Sequence, residues 1–115
     1  LLIAEASLVD GQLERAYGAA NSALKLAETA GNQAYIAAGR TLMGQIYMAK
    51  NKLDLAEKMY QSALTLSEQV GNPAGVVRTK LSYARLLAMQ GQSDRAAELE
   101  TEARARAGEL GLYLQ

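Results

Sequence analysis

Apolar residues recur along this chain every three or four positions, and short polar stretches interrupt them at regular intervals. The spacing predicts six helical segments, over residues 1–9, 13–30, 34–50, 53–70, 74–89 and 93–110. Turn signals separate them, at Asp10-Gly11, Gly31-Asn32, Asn51, Gly71-Asn72, Gln90-Gly91 and Gly111. Strong helix formers dominate the composition and Pro73 is the single proline, so we expect an all-α fold.

Residues 22–32 (SALKLAETAGN) and residues 62–72 (SALTLSEQVGN) show that the chain repeats with a period of forty. The same shift aligns small residues in three copies: Ala16, Ala56 and Ala96; Ala23, Ala63 and Ala103; Gly31, Gly71 and Gly111. A constant period with two helices per unit predicts a solenoid of helical hairpins. We expect one domain over 1–115, with repeats near 1–33, 34–73 and 74–115. Because the chain starts inside a helix without methionine, we expect a fragment of a longer protein.

The ends of the predicted helices carry recognisable signals. Gly31, Gly71 and Gly111 stand where a helix stop needs a left-handed residue, a conformation that glycine adopts without a Cβ clash. Asn72 predicts an N-cap followed by proline at the first helical position, and Ser93 predicts the N-cap of the last helix.

The second copy contains Met43-Gly44-x-x-Tyr47 followed by Ala56-x-x-x-Tyr60-x-x-Ala63. This set resembles the tetratricopeptide repeat consensus, leucine-glycine-x-x-tyrosine followed by alanine-x-x-x-phenylalanine-x-x-alanine. The third copy keeps Ala84, Ala96 and Ala103 but has Glu100 at the aromatic position. The forty-residue period resembles a long form of the repeat, as in maltose-activator-type bacterial regulators and peptide-binding scaffold adaptors. The resemblance implies a right-handed superhelical solenoid of antiparallel hairpins, with Tyr47, Tyr60 and Tyr83 in its core.

The resemblance also implies that the first helix of each hairpin lines a concave, partner-binding face. The positions carried over are Glu5 and Leu8; Ala38, Thr41, Gln45 and Met48; and Arg78, Leu81 and Arg85. Spacings of three or four place each set on one stripe of its helix. Apolar rows would take peptide side chains, while Gln45, Arg78 and Arg85 would hold backbone or carboxylate groups. The alternative is that these are ordinary solvated positions on an alanine-rich helix.

Composition excludes several other functions. Twelve basic residues balance twelve acidic ones, so the chain lacks the positive field that direct nucleic-acid binding requires. Cysteine and histidine are both absent, which removes thiol nucleophiles, soft metal ligands and the usual proton shuttle. No apolar run is long enough to span a membrane. We therefore expect a non-catalytic, cytoplasmic protein without cofactor or metal.

The last predicted helix is rich in charge. Glu98, Glu100 and Glu102 suggest a carboxylate cluster, but Glu100–Arg104 and Glu102–Arg106 have the spacing of favourable ion pairs along one helix. A salt-laced, exposed face is the better interpretation. Arg104 and Arg106 replace leucines of the earlier copies, as expected for a repeat near the end of an array.

Two functions remain open. The first is a scaffold that binds a protein or peptide in its concave groove. The second is the regulatory or sensor arm of a bacterial ATP-dependent transcription activator or other signalling protein. The apolar residues of the first segment also predict self-association through the N-terminal repeat edge.

Overall fold

The computed structural model of the chain describes the backbone of residues 2–112 and the side chains of residues 11–112. This part forms helices and no strands: α1 (Leu2–Ala30), α2 (Gln33–Ala49), α3 (Leu53–Gln69), α4 (Pro73–Met89) and α5 (Ser93–Leu110). Each helix packs on the next along the chain, and α2 also contacts α4. The predicted all-α array of hairpins is confirmed, and the bounds of α2 to α5 agree with the prediction to within one residue.

The first helix differs from its prediction. A turn was expected at Asp10-Gly11, but α1 runs without interruption from Leu2 to Ala30. The equivalent residues of the later copies, Asn51 and Gly91, have φ of 60° and 80° and do end their helices. Such a turn is stable when a second helix folds back and is buried against the first. At Gly11 the helical hydrogen bonds continue instead, because glycine inside a helix costs only about 1 kcal/mol relative to alanine.

The turns between the helices share one backbone motif. Gly31, Gly71 and Gly111 are left-handed, with φ near 70°, as predicted. The N–H of the following residue then bonds back across the turn, as from Asn72 to the carbonyl oxygen of Ser67 at 2.9 Å. This motif satisfies carbonyl groups that a helix end otherwise leaves unpaired.

The predicted N-caps have different outcomes. Asn72 is confirmed, since its Oδ1 accepts a hydrogen bond from the Gly75 backbone N–H at 3.1 Å. The prediction that Ser93 is an N-cap is wrong, because Ser93 is the first helical residue. Gln92 occupies the N-cap without a side-chain capping bond. The turn fixes this outcome, because the Gln92 N–H bonds to Leu87 at 2.9 Å and leaves the next residue inside the helix.

The core is built around two tyrosines. Tyr60 is fully buried and Tyr83 is 4% exposed, and their rings stack with centroids 6.0 Å apart. Tyr60 lies directly against Gly44, where an added Cβ would come within 2.6 Å of the ring. The consensus positions are thus packing positions, as the resemblance implied, and Tyr47 is partly buried against the same cluster.

One of the two ion pairs expected on α5 is present. Arg104 Nε lies 3.0 Å from Glu100 Oε1, as predicted. The prediction of a Glu102–Arg106 pair is wrong. Lys80 extends from α4 to Glu102 at 3.1 Å, and Arg106 pairs with Glu109 at 2.8 Å. The neighbouring helix supplies a lysine within reach of Glu102, which sequence spacing along α5 alone does not reveal.

Candidate functional site

The first helices of the second and third repeats, α2 and α4, lie side by side and are joined by polar side chains. The hydroxyl oxygens of Thr41 and Thr79 are 2.9 Å apart. One turn further along, Gln45 Nε2 donates to Ser82 Oγ at 3.0 Å. Thr79 and Ser82 are buried, so these two bonds fix the position of one helix against the other.

A hollow of about 200 Å³ opens between the two helices next to the threonine pair. We call it the Arg78 hollow. Ala38, Thr41 and Gln45 of α2 line one wall, and Arg78 of α4 lines the other. Ser67, Asn72 and Gly75 close its end, where Asn72 caps α4. Leu42 and Thr79 complete the lining. Apart from Leu42, the side chains are small or polar, which makes this hollow suitable for a backbone segment rather than for a bulky side chain.

A second hollow, of about 490 Å³, lies beyond Gln45 along the same face. We call it the Arg85 hollow. It is lined by Gln45, Met48, Ala49, Tyr60, Ser82, Arg85 and Met89. Two methionines give it an apolar and adaptable surface. Gln45 lines both hollows, so the two adjoin at this side chain, and we call them together the α2–α4 groove.

The charge of the α2–α4 groove is positive. Arg78 and Arg85 are exposed, and among the described side chains no aspartate or glutamate lines either hollow. Within residues 11–112 neither guanidinium makes an ion pair, whereas Lys80, Arg104 and Arg106 all do. Both arginines therefore keep their donors for an anionic group of a ligand.

Tyr60 is fully buried and lies beneath the Arg85 hollow. Burial of the ring raises the pKa of Tyr60 to about 12, although the nearby Arg85 and Ser82 act in the opposite direction. The phenol is therefore neutral at physiological pH. The hydroxyl donates to the sulfur of Met48 at 3.5 Å, so it has a partner within the protein.

The structure brings most of the predicted concave residues together. Ala38, Thr41, Gln45, Met48, Arg78 and Arg85 all line the α2–α4 groove. Leu81 lines neither hollow and packs, partly buried, on the cluster of Val77, Ala103 and Ala107. Glu5 and Leu8 lie outside the described side chains.

Several groove residues were missed by the sequence reasoning. Thr79 and Ser82 bond to α2, but they face it with offsets of 38 and 37 residues rather than the forty of the repeat. Thr79 and Ser82 are three residues apart on α4, and Thr41 and Gln45 are four apart on α2, so each polar pair lies on one face of its helix; a shifted comparison of the two helices would have found this signal. Tyr60 was predicted only as a core residue; it is fully buried, and it also lies directly beneath the Arg85 hollow.

The described residues offer little for other chemistry. Residues 2–112 contain no helix that is both long and apolar enough to cross a membrane. Where side chains are described, no group of histidine, cysteine, aspartate or glutamate has the arrangement of a metal site. The arrangement that is present, an open groove with two arginines, an amide and apolar patches, is suited to binding.

Comparison with known families supports this interpretation. The chain matches the family described as tetratricopeptide repeat over residues 35–109, which spans α2 to α5 and therefore both walls of the α2–α4 groove. Neither the curated proteins nor the solved structures give a significant match. The profile match covers more than half of the sequence and agrees with the Gly44–Tyr60 packing and the hairpin order of the helices. The chain therefore belongs to the tetratricopeptide repeat family.

Proposed function

We propose that the chain is a scaffold that binds an acidic peptide segment of a partner protein in the α2–α4 groove. Tetratricopeptide repeats generally mediate protein–protein interaction, and the fold is generally non-catalytic. The finer proposal concerns the site and the chemistry of the ligand. It is carried by one observation: Gln45 and Arg85, from different repeats, line one hollow whose walls contain no acidic residue.

The groove suits a peptide rather than a small molecule. Its two hollows continue along α2 and α4 from the Asn72 end to Met89, so the ligand must be elongated. Arg78 and Arg85 are seven residues apart on α4, which is about 10 Å along a helix at 1.5 Å per residue. An extended peptide covers this distance with about three residues at 3.3 Å each.

Each part of the groove would bind a different part of the peptide. Within the described side chains, the amide of Gln45 makes one hydrogen bond, to Ser82, which leaves an N–H and the carbonyl oxygen for a peptide backbone. The two arginines would hold carboxylate groups, and a charge-assisted bond of this kind contributes about 1.5–3 kcal/mol. Met48 and Met89 would pack against an apolar side chain next to the acidic position held by Arg85.

The test uses two short fluorescent peptides with the same apolar residues, one with glutamate and one with lysine at the polar positions. Binding is followed by fluorescence anisotropy. We expect the glutamate peptide to bind and Arg85→Ala to weaken it about tenfold or more. Arg104→Ala is the matched control, because it removes the same charge from the exposed side of α5. Equal effects of the two substitutions, or preference for the lysine peptide, would contradict the proposal.

A regulatory or sensor arm of a signalling protein stays a prediction from the sequence. The flanking sequence of the parent gene distinguishes it: an upstream nucleotide-binding motif with a downstream helix-turn-helix supports the regulator, and further repeats alone support the scaffold.

A further inference from the structure

A second groove lies at the other end of the described array, between α1 and α2. Its volume is about 550 Å³, and its walls include Leu24, Leu26, Ala27, Tyr35, Gly39 and Leu42. We call it the α1–α2 groove. Leu26 is 72% exposed, Tyr35 69% and Leu42 46%, which are high values for large apolar side chains. An apolar patch of this kind on a soluble surface marks a docking site.

The repeat symmetry within the molecule shows what kind of element fits the α1–α2 groove. Forty residues on, Gly75 and Ser82 are the equivalents of Tyr35 and Leu42, and both are buried. Gln45 of α2 bonds to Ser82, and the side chains of Asn72 and Ser67 lie against Gly75. Helix α2 also packs on α4. Only about 200 Å³ stays open there. The α1–α2 groove is thus the same interface one repeat earlier, without the helix that covers it.

The helix missing from this interface has an equivalent in the sequence. Moving α2 back by forty residues gives the segment that ends near residue 10, and residues 2–9 read LIAEASLV. This segment is rich in apolar side chains, as the groove requires. It belongs to the continuous helix α1, however. At 1.5 Å per residue its centre lies about 30 Å from Leu26 along one axis, so it does not reach its own groove.

We propose that a second copy of this chain fills the α1–α2 groove with its residues 2–10, so that two α1 helices pair antiparallel in a symmetric, exchanged dimer. The packing of α2 against α3 shows how the two α1 helices would align. Arg40 bonds to Ser62 across it at 2.7 Å, and residue 51 is midway between them. Forty residues earlier, this midpoint falls at Gly11, so the equivalent pairing of two α1 helices is centred there. An antiparallel pair of identical helices has its two-fold axis at such a midpoint, so each copy makes the same contacts with the other.

Gly11 is suited to this position. A Cβ added to it would meet no atom of the described side chains within 4 Å, so a second helix has room to approach there. The continuous α1, the uncovered groove and the apolar N-terminal segment are then parts of one interface. Exchange of identical elements between protomers is an established route to dimers, and it uses contacts that the repeat already encodes.

The absence of cysteine from the chain permits a direct cross-linking test. Gln45 contacts Ser82 within the chain, and the residues forty positions earlier are Glu5 and Leu42. The proposed dimer therefore brings Glu5 of one copy close to Leu42 of the other. The variants Glu5→Cys and Leu42→Cys are purified separately, mixed, and treated with a short bis-maleimide. We expect a cross-linked heterodimer. Replacing the second variant by Leu55→Cys, a leucine 40% exposed on α3 outside the groove, should give only background.

Two outcomes of the cross-linking would overturn the proposal. A doubly substituted chain (Glu5→Cys with Leu42→Cys) that links only within a monomer would show that the segment folds back onto its own groove. Absence of any Glu5–Leu42 link in folded protein, with helicity confirmed by circular dichroism, would show that the segment does not occupy the groove.

Sedimentation equilibrium gives an independent measurement. The unmodified chain should dimerise, and Leu42→Lys should weaken dimerisation about tenfold or more, because a charge would be buried in an apolar contact. Leu55→Lys is the matched control and should leave the dissociation constant unchanged. A monomer at all concentrations, or a dimer that Leu42→Lys does not weaken, would overturn the proposal.

Discussion

The contact between Gly44 and Tyr60 yields the sharpest stability prediction. A Cβ at residue 44 would lie 2.6, 2.8 and 3.0 Å from three atoms of the Tyr60 ring. Carbon atoms normally meet at about 3.5–4.0 Å. The ring has no space into which to withdraw, because it is fully buried and stacked on Tyr83. Gly44→Ala must therefore separate α2 from α3 or displace the ring from its packing.

The expected cost follows from two opposing effects. Overpacking of a core costs about 1–3 kcal/mol, and contacts this short with a fixed ring belong at the upper end. Alanine is favoured over glycine inside a helix by about 1 kcal/mol. The net result is a loss of about 2 kcal/mol in the free energy of unfolding. For a chain of this size, that lowers the melting temperature by about 8 °C.

The assay is thermal and urea denaturation followed by circular dichroism. Gly108→Ala is the matched control, since a Cβ there meets nothing within 4 Å and Gly108 is exposed on α5. It should raise the unfolding free energy by about 0.5–1 kcal/mol, so the two substitutions have opposite signs. In a Tyr60→Leu background, Gly44→Ala should lose most of its cost, because the two sites are coupled. If Gly44→Ala stabilises the chain as Gly108→Ala does, the steric reasoning is refuted.

Three further predictions concern single side chains. Asn72→Ala should lower the unfolding free energy by about 1 kcal/mol in urea denaturation, whereas Asn72→Asp keeps the acceptor that caps α4 and should cost much less. The raised pKa of Tyr60 means that the folded state keeps the phenol proton after the unfolded chain has lost it, so stability should fall as the pH rises from about 10 to about 12. The difference from Tyr60→Phe, measured by denaturation across this range, should be about 2 kcal/mol, and parallel profiles would contradict the assignment. A hydrogen bond and charge from Lys50 lower the pKa of the Glu14 carboxyl, so the contribution of this pair is present at neutral pH and is lost as the pH falls through the lowered pKa. An NMR titration should show the Glu14 pKa rising in Lys50→Met, and an unchanged value would exclude the pair in solution.

The hydrophobic period and the glycine positions were enough to predict α2 to α5. They failed at Gly11 because a glycine permits a turn but does not require one. Asn51 and Gly91 turn the chain only with a folded-back helix packed against the turn. Ser93 failed for a related reason. The backbone bond from Gln92 to Leu87 determines where α5 begins, and residue preference at the cap is weaker than that geometry.

The repeat period predicted those groove residues that are equivalent between the repeats. Gln45 and Arg85 are equivalent under a shift of forty and do line one hollow. The contacts between α2 and α4 depend instead on how one helix is displaced along the other, so Thr79 and Ser82 could not be identified from equivalence. Packing between helices likewise determines the partner of Glu102, which bonds to Lys80 across the α4–α5 interface.

Because residue 44 has no side chain, the Tyr60 ring packs directly against α2 and lies buried beneath the Arg85 hollow. The same aromatic ring thus fills the interior and supports the recognition surface from beneath. Selection for a different ligand can act through residues 44 and 60, which no ligand need touch, by altering the depth and polarity of the cleft. Conversely, a stabilising repacking of this hairpin would change which ligands are accepted.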